Sequence, residues 1–163
     1  MSDWTTPKTW TVDELITAPM LNTHVRDNLG YLFARPAAQS AQAGAAGYTI
    51  TGTSYAAVDP ANLTLTLATA SGRVMIGLLA SLSGNATLSA GLRVSVDGGA
   101  QYVVWSDAIH VQVTISPAPL PPLLVMGLSA GQHTFALEAK ASANTLTIHR
   151  SAAQPLRFWV MEV

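Results

Sequence analysis

The chain has 163 residues, a formal net charge of −1 and no cysteine. Its length suits one ordinary domain with an extension, and the lack of cysteine excludes disulfides, thiolate catalysis and cysteine-based zinc sites. A net charge this close to zero predicts no general attraction to nucleic acid or anionic membranes, and no apolar run reaches the ~18 residues of a membrane span.

One long helical pattern covers residues 18–33, near the start of the chain. Thr17 can cap this helix with its hydroxyl, and Pro19 suits its first turn. An apolar stripe follows at spacings of four, four and three residues: Leu21, Val25, Leu29 and Leu32. A stripe on about four turns does not fold alone. We therefore expect it to pack on the rest of this chain, on a second copy of the helix, or on a different protein.

The residues ahead of the helix are polar and include two tryptophans, Trp4 and Trp10. Tryptophan buries a large area at low entropic cost, so both residues are predicted anchors for a partner. The alternative is a hydrophobic staple, in which Trp10 folds back on its own helix. Thr11 and Glu14 have the spacing of a capping box, which predicts a short turn before the helix.

A dense polar group lies beside the apolar stripe. It comprises Asn22, His24, Arg26, Asp27, Asn28 and Tyr31. We interpret these residues as hydrogen-bonding groups for a docking partner or as polar layers that set helix register, rather than as a catalytic centre.

A proline and a run of small residues end this region. Arg35-Pro36 stops the helix, since the residue before a proline is forced out of the helical conformation. Residues 36–47, rich in Ala, Gly and Gln, are predicted to form a linker with little to bury. The sequence thus predicts an N-terminal arm at 1–35, a linker at 36–47 and a β domain at 48–163.

The arm resembles the N-terminal arm of small tail, fibre or capsid-surface proteins of tailed bacteriophages. The resemblance is carried by Trp10-Thr11, Glu14, Thr17-Ala18, Leu21-Asn22, His24 to Leu29, and Tyr31-Leu32. Relatives have Asp-Gly ahead of the glutamate, where Val12-Asp13 stands here. This stretch is about one seventh of the chain. It implies a virion protein, assembled in the cytoplasm of a host bacterium, with other phage capsid or tail proteins as partners.

From Tyr48 onward the apolar period changes from about 3.6 to 2, which is the period of strands. Leucines alternate with polar residues at 63–67, Asp97-Gly98-Gly99 predicts a hairpin, and the last residues form a final strand. In all, eight to ten short antiparallel strands at roughly ten-residue spacing predict a β-sandwich or jelly roll. The chain also has, in order, a Gly-Arg-Val strand at 72–74, an Asp-Gly turn at 97–98, the entry Gly-Gln-His-Thr-Phe at 131–135 and a final aromatic strand. This succession resembles the trimeric jelly rolls of the tumour-necrosis-factor and complement-head type.

The β domain is unusually poor in charge. Residues 1–35 hold seven charged residues, whereas residues 36–163 hold only ten. The stretch 74–82 is nearly continuous in apolar residues, which is typical of a strand covered on both faces. Because large exposed apolar patches mark interfaces, we expect a homo-oligomer, most simply a homotrimer. Either this stretch or the helix stripe would form the subunit interface.

The sequence carries no recognisable constellation for catalysis. The four histidines lack metal-ligand spacing, no Gly-x-Ser-x-Gly motif or phosphate-binding glycine loop is present, and the acids of the β domain are scattered. We therefore predict no enzyme, no cofactor and no metal. The predicted role is capsid decoration, a head or tail fibre or spike, or a tail-tip component that contacts the host.

Carbohydrate binding is the alternative function for the β domain. Sugar sites combine an exposed aromatic ring with acids or amides, and the candidates are Tyr102, Trp105, Asp107 and Trp159. The ligand would be a host surface glycan. The alternative is that these aromatic residues fill the sandwich or an oligomer axis.

Overall fold

The computed structural model describes residues 5–44, 46–118 and 120–163. The chain divides into two compact units, Met1–Pro36 and Ala37–Val163. Each unit is described by itself below.

The first unit contains one continuous helix, α1, over the 16 residues that the apolar spacing predicted. It consists of an α-helical turn at Ala18–Leu21, a π-helical segment at Asn22–Asp27 and a second α-helical part at Asn28–Phe33. Pro19 lies in the first turn as predicted, where its missing N–H costs nothing. The hydroxyl of Thr17 makes no capping hydrogen bond, so that part of the prediction is wrong.

A turn precedes the helix at the predicted capping-box residues. The backbone N–H of Thr11 donates to Oε2 of Glu14 at 3.2 Å, and Glu14 also forms an ion pair with Lys8. These contacts hold the pKa of Glu14 below its usual range, with the Lys8 hydrogen bond as the main cause. Asp13 has a φ of 63°. This left-handed conformation is the one that glycine adopts most easily.

The described residues of the second unit form twelve strands. They are β1 Ala37–Gln42, β2 Tyr48–Ile50, β3 Ala56–Ala57, β4 Thr64–Thr69, β5 Arg73–Gly84, β6 Leu88–Val96, β7 Gln101–Val111, β8 Ser116–Ala118, β9 Leu123–Met126, β10 Gly131–Ala141, β11 Leu146–His149 and β12 Leu156–Glu162. Every pairing among them is antiparallel in the described part of the chain. The predicted mainly β sandwich with a preceding helix is confirmed.

In several places, two short strands lie end to end and pair with the same neighbouring strand. We call such a pair a tandem. β12 and β11 both pair with one edge of β5, and β9 and β8 pair with its other edge. β1 and β2 extend this sheet beyond β12 and β11. We call it sheet I. Sheet II has β4 and β3 in tandem, followed by β10, β6 and β7.

When β1 with β2, β3 with β4, β8 with β9 and β11 with β12 are each counted as one strand, the domain has eight strands in chain order. These eight strands follow a simple pairing rule. The first pairs with the eighth, the second with the seventh, the third with the sixth, and the fourth with the fifth. A long antiparallel hairpin that is rolled up produces this pattern, which is the jelly roll.

The core lies between the two sheets and follows the period-2 pattern of the sequence. Along β5 the inward residues Val74, Ile76 and Leu78 are buried, as are the inward residues of β6, β10 and β12. Among the described residues, Phe135 and Phe158 are the largest side chains that are fully buried. The prediction that strand 74–82 is covered on both faces is not met within one chain, since the outward Leu79 is 52% exposed.

The predicted linker requires a correction. Residues 37–42 form β1, which pairs with β12 from Ala37 opposite Met161 to Gln42 opposite Leu156. β1 consists of small and polar residues, so it lacks the apolar pattern that predicts a strand. It is held by backbone hydrogen bonds to the edge of β12, which need no large apolar side chain. The β domain therefore begins at residue 37 rather than 48.

A buried carboxylate fixes the turn between β4 and β5. Glu162 is fully buried near the end of β12. Its Oε1 accepts hydrogen bonds from the Thr69 hydroxyl and the Ala70 N–H, both at 2.6 Å, and from the Ser71 N–H. Buried charge is costly unless it is hydrogen-bonded, and here the bonds join the last strand to the turn between β4 and β5.

Candidate docking and binding surfaces

The apolar stripe of α1 is exposed. Leu21, Val25, Leu29 and Leu32 are between 42% and 48% exposed. In a regular α-helix, residues four apart are rotated by about 40° around the axis. The wider π-helical turns at Asn22–Asp27 reverse part of that rotation. The π segment therefore straightens the stripe into one continuous strip.

Several polar residues of the arm are occupied within the arm itself. Asn28 is buried, and its side chain bonds both backbone groups of Thr5, with Thr5 N to Oδ1 at 2.9 Å and Nδ2 to Thr5 O at 2.7 Å. The rings of Trp10 and His24 meet edge to face with centroids 6.4 Å apart. This contact agrees with the staple interpretation of Trp10. The residues ahead of the helix are thus held on it.

The other predicted docking residues have mixed environments. Asn22 is exposed, and the exposed Arg26 forms an ion pair with Asp27 at 2.8 Å, which raises the pKa of Arg26. Tyr31 is buried. Trp4 lies outside the described residues. The stripe is therefore open to a partner, as are the more exposed Val12, Leu15 and Phe33 of the same unit.

The outward face of sheet I is a second apolar surface. Met161, Met75 and Leu124 form a row across β12, β5 and β9. Trp159 lies flat over Gly77, where an added Cβ would come within 2.0 Å of the indole ring. Leu79, Leu124 and Met126 are exposed, and Met75, Trp159 and Met161 are half-buried. These six residues with Gly77 are called the sheet I face below.

The outward face of sheet II has the opposite character. The guanidinium of Arg93 lies between two tyrosine rings, 4.1 Å from the centroid of Tyr55 and 3.7 Å from that of Tyr102. Its Nε donates to Oε2 of Glu138 at 2.6 Å. Stacking on both sides and an ion pair at the edge hold this guanidinium in one orientation.

A second ion pair adjoins the first. Oδ1 of Asp107 accepts from the Tyr55 hydroxyl at 2.6 Å and from Nζ of Lys140 at 2.9 Å. The Tyr55 and Lys140 bonds lower the pKa of Asp107, whereas burial and the Asp107 bond raise the pKa of Tyr55. Gly91 makes room, because a Cβ there would lie 2.5 Å from the Tyr55 hydroxyl. The group Tyr55, Arg93, Tyr102, Asp107, Glu138 and Lys140 is called the sheet II cluster.

The structure separates the four residues that the sequence offered for glycan binding. Tyr102 and Asp107 share the sheet II face. Trp105 packs against the core, and its Nε1 donates to the carbonyl of Pro121 at 2.9 Å. Trp159 lies on the opposite sheet. Sequence reasoning missed Tyr55 and Arg93, because the pairing of residue 55 with 107 and of residue 93 with 138 depends on the strand order.

The contacts of His133 are structural. His133 is buried; its Nδ1 lies 2.7 Å from Oδ2 of Asp97 and its Nε2 lies 2.9 Å from the carbonyl of Ser129. The Asp97 bond and then the Ser129 carbonyl raise the pKa of His133. Among the described residues, no three His, Asp or Glu side chains are grouped closely enough to hold a metal ion.

Comparisons with known proteins find only distant structural similarity and no family. No protein-family model and no curated protein matches the chain. A chain of the IBDV viral particle is 13% identical over 79% of this chain, with a TM-score of 0.47, and this chain covers 36% of it. A chain of infectious bursal disease virus, Gx strain, is 10% identical over 78% of this chain and 40% of its own, with a TM-score of 0.39.

A third solved structure, of CBM4, is 16% identical over 70% of this chain and 92% of its own, with a TM-score of 0.32. These scores are all below 0.5, so the jelly-roll assignment depends on the strand pairing alone. Within the described residues, no helix has the length and apolar character needed to span a membrane.

Proposed function

We propose that the protein is a non-enzymatic structural component of a tailed-phage particle, attached by its arm and exposing its jelly roll. The observation that carries this proposal is the exposed apolar stripe on a helix in a compact unit separate from the β domain. A helix of 16 residues gains most of its stability from packing. An amphipathic helix of this kind binds by placing its apolar face in a groove.

The internal contacts of the arm support this assignment. Asn28 and the Trp10–His24 contact hold the polar segment onto the helix. The unit is thereby ordered before it docks, which lowers the entropic cost of binding. The partner would be another capsid or tail protein, and the location would be the virion, after assembly in the cytoplasm of the host bacterium.

We also propose that the protein assembles as a homotrimer through the sheet I face. This face joins three methionines, two leucines and a tryptophan, with only Arg73 and Arg157 as exposed charges on the outward side of β5 and β12. A face so poor in charge resembles the core of a subunit interface more than a free surface. The protein would serve as a fibre or surface spike. The alternative role is capsid decoration.

Docking can be tested with a charge-matched pair of variants. Val25→Asp/Leu29→Asp places two charges in the stripe, and Thr23→Asp/Ala34→Asp places the same two charges on exposed residues outside both the stripe and the predicted docking residues. The tagged variants would be supplied to a phage that lacks the gene, and their incorporation would be measured by immunoblotting purified particles. We expect the stripe variant to be lost from particles and the control to be retained. Equal incorporation of both would refute docking through the stripe.

Assembly can be tested by light scattering of the whole chain and of residues 37–163, which retain every strand. Trimers in both cases support the sheet I face. If only the whole chain is a trimer, the helix stripe forms the subunit interface. If both are monomers at micromolar concentration, the proposed trimer is refuted.

A further inference from the structure

The sheet II cluster concentrates charge and aromatic surface in one place. The β domain has ten charged residues, and four of them, Arg93, Asp107, Glu138 and Lys140, meet here around two tyrosines. A solvent-exposed sheet face needs no such concentration to remain soluble. Each member is also fixed by a second one, through an ion pair, a stacked ring or a hydrogen bond. Ordering side chains in this way costs conformational entropy.

The backbone is adapted to the cluster at two points. The β6–β7 ladder shifts register between Ala90 and Arg93, so that β7 carries extra residues around Asp107. Such bulges redirect side chains and are common next to functional sites. Gly91 lies opposite this bulge, and any larger residue would collide with Tyr55 and Lys140.

Hydrogen-bonding capacity remains after the internal contacts are made. Among the described residues, no hydrogen bond uses the two Nη atoms of Arg93, Oδ2 of Asp107 or Oε1 of Glu138. The cluster therefore presents both donors and acceptors in fixed positions. Beside them, Tyr102 and Val104 are 48% and 41% exposed and form an apolar strip along β7.

The charge balance of the cluster selects the ligand class. Two cationic and two anionic side chains sum to zero, so an anionic ligand would meet two carboxylates and a cationic ligand would meet Arg93 and Lys140. A hydroxyl group is both donor and acceptor and can use both kinds of partner. A ring with an apolar C–H face and several hydroxyls fits an exposed tyrosine flanked by fixed donors and acceptors.

From this geometry we propose that the sheet II cluster is a binding site for a neutral oligosaccharide. Tyr102 is the stacking platform, and the Nη atoms of Arg93 with the free oxygen of Asp107 are the hydroxyl-binding groups. Tyr55, Glu138 and Lys140 position them. This site does not depend on how the arm docks.

The test uses the full-length chain on an array of neutral and acidic oligosaccharides, followed by calorimetric titration of the strongest neutral ligand. Tyr102→Ala removes the platform and should weaken binding about tenfold, whereas Tyr102→Phe keeps the ring and should bind within about threefold of the wild type. Arg93→Lys keeps the positive charge but loses the planar guanidinium that stacks between the tyrosines and carries the two Nη donors. It should also weaken binding about tenfold.

The matched control is Ile115→Ala, which truncates a side chain as exposed as that of Tyr102 and lies outside both the sheet I face and the sheet II cluster. It should leave the affinity unchanged within about twofold. Thermal unfolding of each variant would show that the fold is retained. The proposal is overturned if no neutral glycan on the array binds, if acidic glycans bind more tightly, or if binding survives both Tyr102→Ala and Arg93→Lys.

Discussion

Replacing Glu162 by alanine should be among the most damaging single changes to the jelly roll. The side chain is fully buried and accepts three hydrogen bonds from the turn between β4 and β5. Bonds to a charged acceptor each contribute about 1.5–3 kcal/mol. Removing the carboxylate also removes its own desolvation cost, and the exposed residues Ala70 and Ser71 can regain water. We therefore expect a loss of about 3–5 kcal/mol in the free energy of unfolding.

Two further variants separate charge from packing. Glu162→Gln has nearly the same shape and keeps one acceptor oxygen, so it should cost about 1–2 kcal/mol. Glu138→Ala removes a carboxylate that lies on the outward face of sheet II and pairs with Arg93. It should cost about 1 kcal/mol or less. Urea unfolding at equilibrium measures all three. The reasoning fails if Glu162→Ala lies within about 1 kcal/mol of the wild type or if Glu138→Ala is the more damaging.

Three other outcomes follow from single contacts. Asp97 keeps a lowered pKa through its His133 bond, and His133 a raised one. The stabilisation from Asp97 is lost as pH falls through its folded pKa, and that from His133 is lost as pH rises through its own. Asp97→Asn should therefore cost most stability between about pH 4 and 6.5; urea midpoints with a pH-independent difference would contradict this. Gly77→Ala should displace Trp159 and cost about 1–3 kcal/mol in urea unfolding, part of which Trp159→Ala should restore; no loss would show that the ring moves freely. Asn28→Ala should speed amide exchange ahead of the helix by about tenfold or more, measured by NMR, and unchanged exchange would show that its three bonds do not order that segment.

Features set by neighbours in the sequence could be predicted, because their causes are local. The helix has a proline in its first turn and another after its end, and both limits fall where they were expected. Alternating leucines at 63–67 identified β4, and Asp97-Gly98-Gly99 identified the turn between β6 and β7. In these cases the steric preference of a residue or its period is enough to specify the element.

Features set by distant pairing could not be predicted. β1 has only small and polar residues, and it exists because β12 offers an open edge. The sequence likewise gives no sign that Tyr55 reaches Asp107, 52 residues away, or that Asn28 holds Thr5. Trp105 is a candidate sugar platform from its sequence context, but it packs against the core and its indole donates to the carbonyl of Pro121. Whether a strand residue lies in the core or on the surface depends on which face of the sheet its side chain points to, and the strand pairing sets that face.

The two outward faces of the jelly roll explain why so few charges suffice for the β domain. The surface of a soluble monomer typically carries charges of both signs, spread over all of its faces. Here the sheet II face holds four of the ten charges, and the outward side of β5 and β12 in sheet I carries Arg73 and Arg157 beside an apolar surface. From this uneven distribution of charge we infer that, in the proposed trimer, sheet I is buried between subunits and sheet II faces the solvent. The charges would then lie where a ligand reaches them, and Leu79→Asp should dissociate the trimer without altering glycan affinity, as light scattering and titration of the same sample would show. Loss of affinity on dissociation would instead mean that neighbouring subunits complete the site.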